Sequence, residues 1–316
     1  MTGDDLFLAL ALQPDDAALR AVYVDWLIEH HPLRGLHARL QQAGDEAGAE
    51  ALRRAHGDSW LSQAVRRHAT PGTACFRDGL LDAVRLEPMT RDEAGVLATD
   101  PCWVFVRTLE RPPLSVLVDS PNVTRARLDE STLEELAGWK RTLPRLARLG
   151  VETFAIDRVA PWLLPECLPS LSHLDVYPLG ARNSNPRAFR PGPDDDEQSV
   201  AAVGSGPPRP AELFSPGSWA AFFAAPLPPG LSTVEVHAGF VNLATVGRQL
   251  EGARCDVERF IVSALETEGA RWSVALLRTG PGRYRRFRLV DAGVSRDDRA
   301  DVEALVATAA PLERAP

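Results

Sequence analysis

Lysine is almost missing from this 316-residue chain: of 35 basic residues only Lys140 is lysine, and the others are all arginine. A Walker-A phosphate loop needs a Gly-Lys-Ser/Thr run, and Lys140 lies between Trp139 and Arg141, so that route to nucleotide chemistry is closed. Schiff-base chemistry would rest on Lys140 alone. Isoleucine, asparagine and methionine are scarce too, which fits a GC-rich coding bias. Cysteine is thin as well. Cys75, Cys102, Cys167 and Cys255 lie far apart with no Cys-x-x-Cys pair, which argues against a structural zinc site or a disulfide framework and reads as free thiols. No apolar run approaches the roughly 18 residues of a membrane span, and the chain opens on the acidic run Met1-Thr2-Gly3-Asp4-Asp5. A soluble, cytoplasmic protein with no membrane partner is expected. The net charge of −8 argues against non-specific nucleic-acid binding as the main task.

What is present begins with helices. Leu6, Leu8, Ala9, Leu10 and Leu12 form an apolar run closed by Pro14, and Asp15 or Asp16 can cap the next helix. In that helix Leu19, Val22, Tyr23, Trp26 and Leu27 recur at three- and four-residue intervals, which predicts one buried face. A third helix is expected over Leu33 to Gln42 on Leu36 and Leu40. A fourth is expected over Ser59 to His68, after a polar stretch from Gly44 to Glu50.

The ordered pieces Pro14-Asp15-Asp16, Leu19-Arg20, Val22-Tyr23-Val24-Asp25-Trp26-Leu27, Arg34-Gly35 and Arg39-Leu40-Gln41, followed by His56-Gly57-Asp58-Ser59-Trp60-Leu61 and Phe76-Arg77-Asp78-Gly79-Leu80, resemble the bacterial repeat-companion domain. The resemblance covers about 75 residues. It implies a short helical module leading into leucine-rich-repeat-like arrays, an interaction architecture and no reaction.

After residue 80 the pattern changes. Apolar residues at i, i+3 and i+5 occur at Leu81/Val84/Leu86, Val123/Ala126/Leu128, Val151/Phe154/Ile156, Leu171/Leu174/Val176, Leu231/Val234/Val236 and Val257/Phe260/Val262, with Val106 and Leu109 marking one further unit. The starts fall 25, 17, 28, 20, 60 and 26 residues apart, against about 20 to 29 residues for leucine-rich repeats. The 17 is too short. The 60 fits a repeat plus an insertion, and 180–217 is proline-rich around Asp194-Asp195-Asp196-Glu197, with few apolar residues to bury. The asparagine ladder of a regular leucine-rich repeat is absent, because Asn122, Asn183, Asn185 and Asn242 all miss the position after the strand. The expected fold class is therefore α/β: a helical module over residues 1–75, then a degenerate leucine-rich-repeat-like solenoid of short strands over 76–290, then a helix (Arg299 to Ala309) and tail over 291–316.

Chemistry is hard to find. His30 and His31 are adjacent and would point apart on a helix, Gly204-Ser205-Gly206 lacks the residues of a nucleophile elbow, and Gly280-Pro281-Gly282 lacks the third glycine of a dinucleotide fingerprint. No metal set, cofactor or catalytic constellation is expected. If the triplets face the core, positions i+2, i+4 and i+6 form a polar stripe on the open side of the strands. From it come the candidate partner-binding residues Arg85, Arg125, Arg127, Asp157, His173, Asp175, Tyr177, Glu235 and His237. Their mixed charge suits a folded protein partner better than nucleic acid. The alternative lies in Arg271 to Val290, which carries six arginines and no acid and reads as a strand, turn and strand. There Arg278, Arg283, Arg285, Arg286 and Arg288, interleaved with Trp272, Tyr284 and Phe287, would bind nucleic acid or another anion. The leading expectation is a non-enzymatic scaffold that recognises a protein. An enzyme would instead need titratable groups converging from distant strands.

Overall fold

A computed structural model describes residues 2–14, 16–179, 216–237, 246, 249–250, 257–267, 270–280 and 283–290, of which 216–217, 262–267, 270–274, 280 and 284–290 are described by backbone alone. Most of the expected proline-rich insertion and the whole expected C-terminal helix lie outside the described residues. The chain is mixed α/β and forms two compact units, one of residues 1–149 with 166–170 and one of 150–165 with 171–316.

The first unit starts with helices whose ends the sequence caps. Thr2 and Asp5 make a reciprocal capping box at α1 (Gly3–Leu12), and the Asp16 carboxylate accepts the free amides of Ala18 and Leu19 at α2 (Ala17–His30). Leu6 and Leu10 of α1 bury against Tyr23 and Leu27 of α2, and Leu80 and Phe105 complete the same cluster. The helical residues 1–75 thus share a core with the chain that follows. Two expected core positions face water instead: Val22 is 48% exposed and Leu36 47%. The buried stripe of α2 runs through Tyr23, Val24 and Leu27, leaving Val22 turned outward. In α3 (Pro32–Gln42) the close approach is made by Gly35, His37 and Ala38, and a side-chain carbon on Gly35 would lie 2.5 Å from the Ile28 backbone nitrogen. The stretch expected to be a polar spacer begins a further helix, α4 (Glu46–His56). Asp45 caps it, and Glu50 pairs with Arg53 and Arg54 one turn on. The expected helix from Ser59 shortens to α5 (Gln63–His68), because Gly57–Trp60 forms a separate 3₁₀ turn.

A hairpin then leads from helices to sheet. Strands β1 (Cys75–Arg77) and β2 (Leu80–Arg85) pair antiparallel through Asp78 and Gly79, both at positive φ (50° and 76°), the two-residue turn whose twist matches the flanking strands. Side chains from α2 and α3 tie it down. Arg34 Nε donates to the Gly79 carbonyl at 2.5 Å, Gln41 Nε2 donates to the Phe76 carbonyl at 2.8 Å, and Arg20 pairs with Asp78 at 3.4 Å.

From β2 the strands run parallel in chain order. Ala83, Val84 and Arg85 of β2 align with Thr108, Leu109 and Glu110 of β3 (Thr108–Glu110), and these with Arg125, Ala126 and Arg127 of β4 (Arg125–Asp129). The returns are short helices, α6 (Arg91–Ala98), α7 (Leu114–Val118) and α8 (Glu130–Trp139). The residues of the apolar triplets along these three strands are all less than 5% exposed, as expected for their core side.

The triplet that starts at Val151 fails. Phe154 is 45% exposed, and the buried set is Leu146, Leu149 and Val151, each fully buried. Strand β5 (Arg148–Thr153) therefore starts earlier than the spacing predicts. It ends where the Thr153 hydroxyl accepts the Ala155 amide, and α9 (Ile156–Val159) begins. Moving the start from Val151 to Leu146 places it 23 residues after Val123 and 25 before Leu171, which evens the former 28 and 20 and leaves the 17 and the 60 as they were.

In the second unit β6 (His173–Pro178), β7 (Thr233–Val236) and β8 (Arg259–Thr267) are parallel, and β9 (Ala270–Gly280) and β10 (Arg283–Val290) follow antiparallel, as the strand-turn-strand reading anticipates. Phe260 of β8 packs edge-on to Trp219, which lies with Phe222 and Phe223 on α10 (Pro216–Ala224). A single hydrogen-bond pattern recurs in both units. The carbonyl one residue after a triplet start accepts two successive amides of the next strand: Arg107 from Thr124 and Arg125, Thr124 from Ala147 and Arg148, Ser172 from Ser232 and Thr233, and Ser232 from Glu258 and Arg259.

Candidate functional site

The stripe divides into two kinds of surface. In the first unit, Arg85, Arg125 and Arg127 are half-buried on strands 4.8 Å or so apart, and the register sets Glu110 between Arg85 and Arg127 in one row, with Thr108 between Ala83 and Arg125 in the next. Beside the strand starts lies a cleft of about 100 Å³ lined in part by Arg20, Arg77, Asp82, Arg107, Asn122 and Arg145. Its lining sets four arginines against one carboxylate, Asp82. Asp82 takes Arg107 at 2.6 Å and Arg77 at 3.7 Å, and Arg145 bonds Asn122. Burial pushes the Asp82 carboxyl up, against the pull of Arg77.

In the second unit the stripe is not open. Asp175 and Glu235 are each 3% exposed, and Thr233 is buried beside them, because these side chains fold in among their neighbours on central parallel strands rather than standing clear of them. Asp157 leaves the stripe altogether. It is exposed in the first turn of α9, because β5 stops at Thr153. The other five converge. Leu174 and Val176 point to the core from β6, as do Val234 and Val236 from β7, so the alternating His173, Asp175 and Tyr177 share a face with Thr233, Glu235 and His237.

The register sets Asp175 beside Glu235 and His173 beside Thr233. His173 Nε2 stands 3.5 Å from Asp175 Oδ1 and 3.5 Å from Glu235 Oε2. His237 Nε2 is 2.9 Å from Asp175 Oδ1 and 4.0 Å from Glu235 Oε1, and its ring stacks on Tyr177 with centroids 4.2 Å apart and planes 2° from parallel. With Asp175 ionised, the Nε2 proton of His237 is the donor of that 2.9 Å bond. One ligand atom from each of His173, Asp175 and Glu235 falls within 4.8 Å of the others. Two ionised carboxylates at about that spacing would repel by about 3–4 kcal/mol at an effective dielectric near 20. The site is thus built to hold positive charge, supplied by imidazolium or by a cation.

Residue spacing along the chain does not show this cluster because its members come from two strands: His173-Leu174-Asp175 on β6 and Glu235-Val236-His237 at β7, 60 residues later. The signal available was that mirrored pair of His-x-Asp and Glu-x-His, whose acids Asp175 and Glu235 fall at equivalent repeat positions. The arginine-rich alternative is only partly visible. Arg278 is half-buried and Arg283 exposed, while Arg285, Arg286 and Arg288 pair by backbone with Leu277, Leu276 and Val274 and their side chains lie outside the described residues.

No known protein family, curated protein or solved structure matches the chain.

Proposed function

We propose that this chain is a non-enzymatic, cytoplasmic interaction protein that recognises a folded protein through the strand face of its first unit. In this reading the N-terminal helices are a repeat-companion module and the strands a degenerate leucine-rich-repeat-like solenoid. The supports are the chain-order parallel pairing, the buried i, i+3, i+5 triplets and the double acceptance that recurs at the starts of β4, β5, β7 and β8, which ties successive strands by backbone where a regular repeat would use asparagine. The observation that carries the proposal is the lateral alignment of Arg85, Glu110 and Arg127 on adjacent strands, half-buried and of alternating sign. Such a row fixes the register of a partner that offers acids at the two arginines, and a polar or basic group between them. In the second unit the same positions are buried, which moves the contact surface away from Asp175 and Glu235 and toward the arginines.

The test is a full-length chain carrying Arg85→Glu and Arg127→Glu, compared with wild type for capture of the partner that the wild-type chain retains. Two reversed charges at about 1.4–2 kcal/mol each predict a loss of affinity of about 100-fold or more. Glu134→Arg on the exposed face of α8 serves as the control and should leave binding unchanged. Undiminished capture by the folded double variant would overturn the assignment of this face.

A further inference from the structure

Four side chains with metal-binding chemistry meet on β6 and β7, and their distances separate into two classes. His237 lies at hydrogen-bond distance from Asp175, 2.9 Å, while His173 stands 3.5 Å from both Asp175 and Glu235. The first is an ordinary imidazole–carboxylate bond. The second pair is longer than the usual 2.7–3.2 Å for such bonds and matches another geometry. Ligand atoms held about 2.0–2.1 Å from a tetrahedral ion lie about 3.3–3.5 Å from each other. His173 Nε2 therefore stands at that edge length from both Asp175 Oδ1 and Glu235 Oε2, and one ligand atom from each of the three residues lies within 4.8 Å of the others. Both carboxylates are 3% exposed, so water supplies little of the screening that keeps surface acid clusters free of bound ions.

We infer that His173, Asp175 and Glu235 form a binding site for a divalent transition-metal ion of the zinc class, with His237 positioning the Asp175 carboxylate from outside the ligand set. An imidazole nitrogen beside two carboxylates is the donor set of zinc and its neighbours; calcium takes six to eight oxygens, and magnesium keeps most of its water. The Nε2–H of His237 fixes the free orientation of Asp175, and Tyr177, stacked on the ring, fixes His237. That arrangement of a ligand held by an outer partner is general in metal sites. The ion joins two strands whose ligands are 60 residues apart in the chain, and neutralises two carboxylates that otherwise repel. Three protein ligands leave a fourth corner for water or an incoming group. The site lies on other residues than the arginine row and does not depend on partner recognition there.

The experiment uses the full chain, stripped with chelator, and titrated with zinc chloride by calorimetry and with cobalt(II) by visible absorption. The expected result is one equivalent of zinc, a tetrahedral cobalt spectrum without a thiolate charge-transfer band, and a rise in melting temperature with zinc. His173→Gln and Glu235→Gln should weaken binding at least 100-fold, and His237→Gln by about 10- to 100-fold. Glu235→Gln removes one of two adjacent like charges, so the metal-free variant should melt no lower than metal-free wild type and should lose the zinc-dependent rise. Absence of binding, a thiolate band, binding unchanged in His173→Gln and Glu235→Gln, or displacement of zinc by equimolar calcium would each overturn the site. Should a variant fail to fold, the wild-type cobalt spectrum and stoichiometry still decide between imidazole–carboxylate ligation and the cysteines.

Discussion

Replacing Gly79 by alanine tests how the N-terminal helices are joined to the first strands. Gly79 sits at φ +76°, where an L side chain costs about 1–2 kcal/mol. An added Cβ would also lie 2.2 Å from Leu27 Cδ1, a side chain that is fully buried, and forcing one methyl group into such packing costs about 1–3 kcal/mol. The expected loss is therefore about 2–5 kcal/mol. Gly72 supplies the control, since its φ is +75° and a Cβ there would meet nothing within 4 Å. Gly72→Ala should cost only the backbone part, about 1–2 kcal/mol. The measurement is the urea midpoint of each variant at unchanged m-value, so that the difference reports folded-state stability. A third variant, Gly79→Ala with Leu27→Ala, removes the colliding atom and should lose less than the two single changes added together. Equal losses for Gly79→Ala and Gly72→Ala would refute the claim that the turn is seated on Leu27.

Two further outcomes follow from the first unit. His37 is 2% exposed beside Trp60 and Phe76, and burial lowers its pKa from the usual 6.5. The unfolded chain then binds the extra proton first, so stability is present above pH 6.5 and falls as pH drops from there toward the folded-state value; His37→Phe should remove that slope in denaturation midpoints measured between pH 7.5 and 5. Burial pushes up the thiol pKa of all three described cysteines, and of these Cys75 is the exposed one, Cys102 being half-buried and Cys167 buried. Native-state alkylation followed by peptide mass analysis should therefore modify Cys75 well before Cys102, and the reverse order would contradict the packing of the Pro101–Val104 turn.

The strand positions were readable because an i, i+3, i+5 apolar spacing is demanded wherever a short strand and its flanks close over one core, and Leu171, Leu174 and Val176 satisfy it directly. The same rule misled at Val151, where two overlapping triplets compete and only the backbone decides between them: Thr153 ends the strand, so Leu146 starts the strand's triplet, while Ile156, also buried, belongs to α9. Helix α4 was missed because its alanines and charged residues carry little hydrophobic pattern; its stability is local, from the Asp45 cap and the Glu50 pairs. Site residues fared unevenly for a related reason. Spacing placed His173, Asp175, Glu235 and His237 on one face. Their burial and convergence depend on which strands become neighbours across the insertion, and single-strand periodicity holds no information about that. The near-absence of lysine remains a compositional fact, and its structural consequence is visible at Arg34 and Arg53, whose planar heads bond several carbonyls or carboxylates at once.

The central claim, that the first unit's strand face is where a protein partner sits, is tested most directly by site-specific photocrosslinking in cells. A photoreactive residue at Thr108, half-buried between Ala83 and Arg125 on adjacent strands, is compared with one at Val96, which is 68% exposed on α6. The account predicts a discrete protein adduct from position 108 that disappears when Arg85 and Arg127 are reversed to glutamate, and none from position 96. An adduct from position 96 alone, or one from 108 that survives the charge reversal, would contradict it.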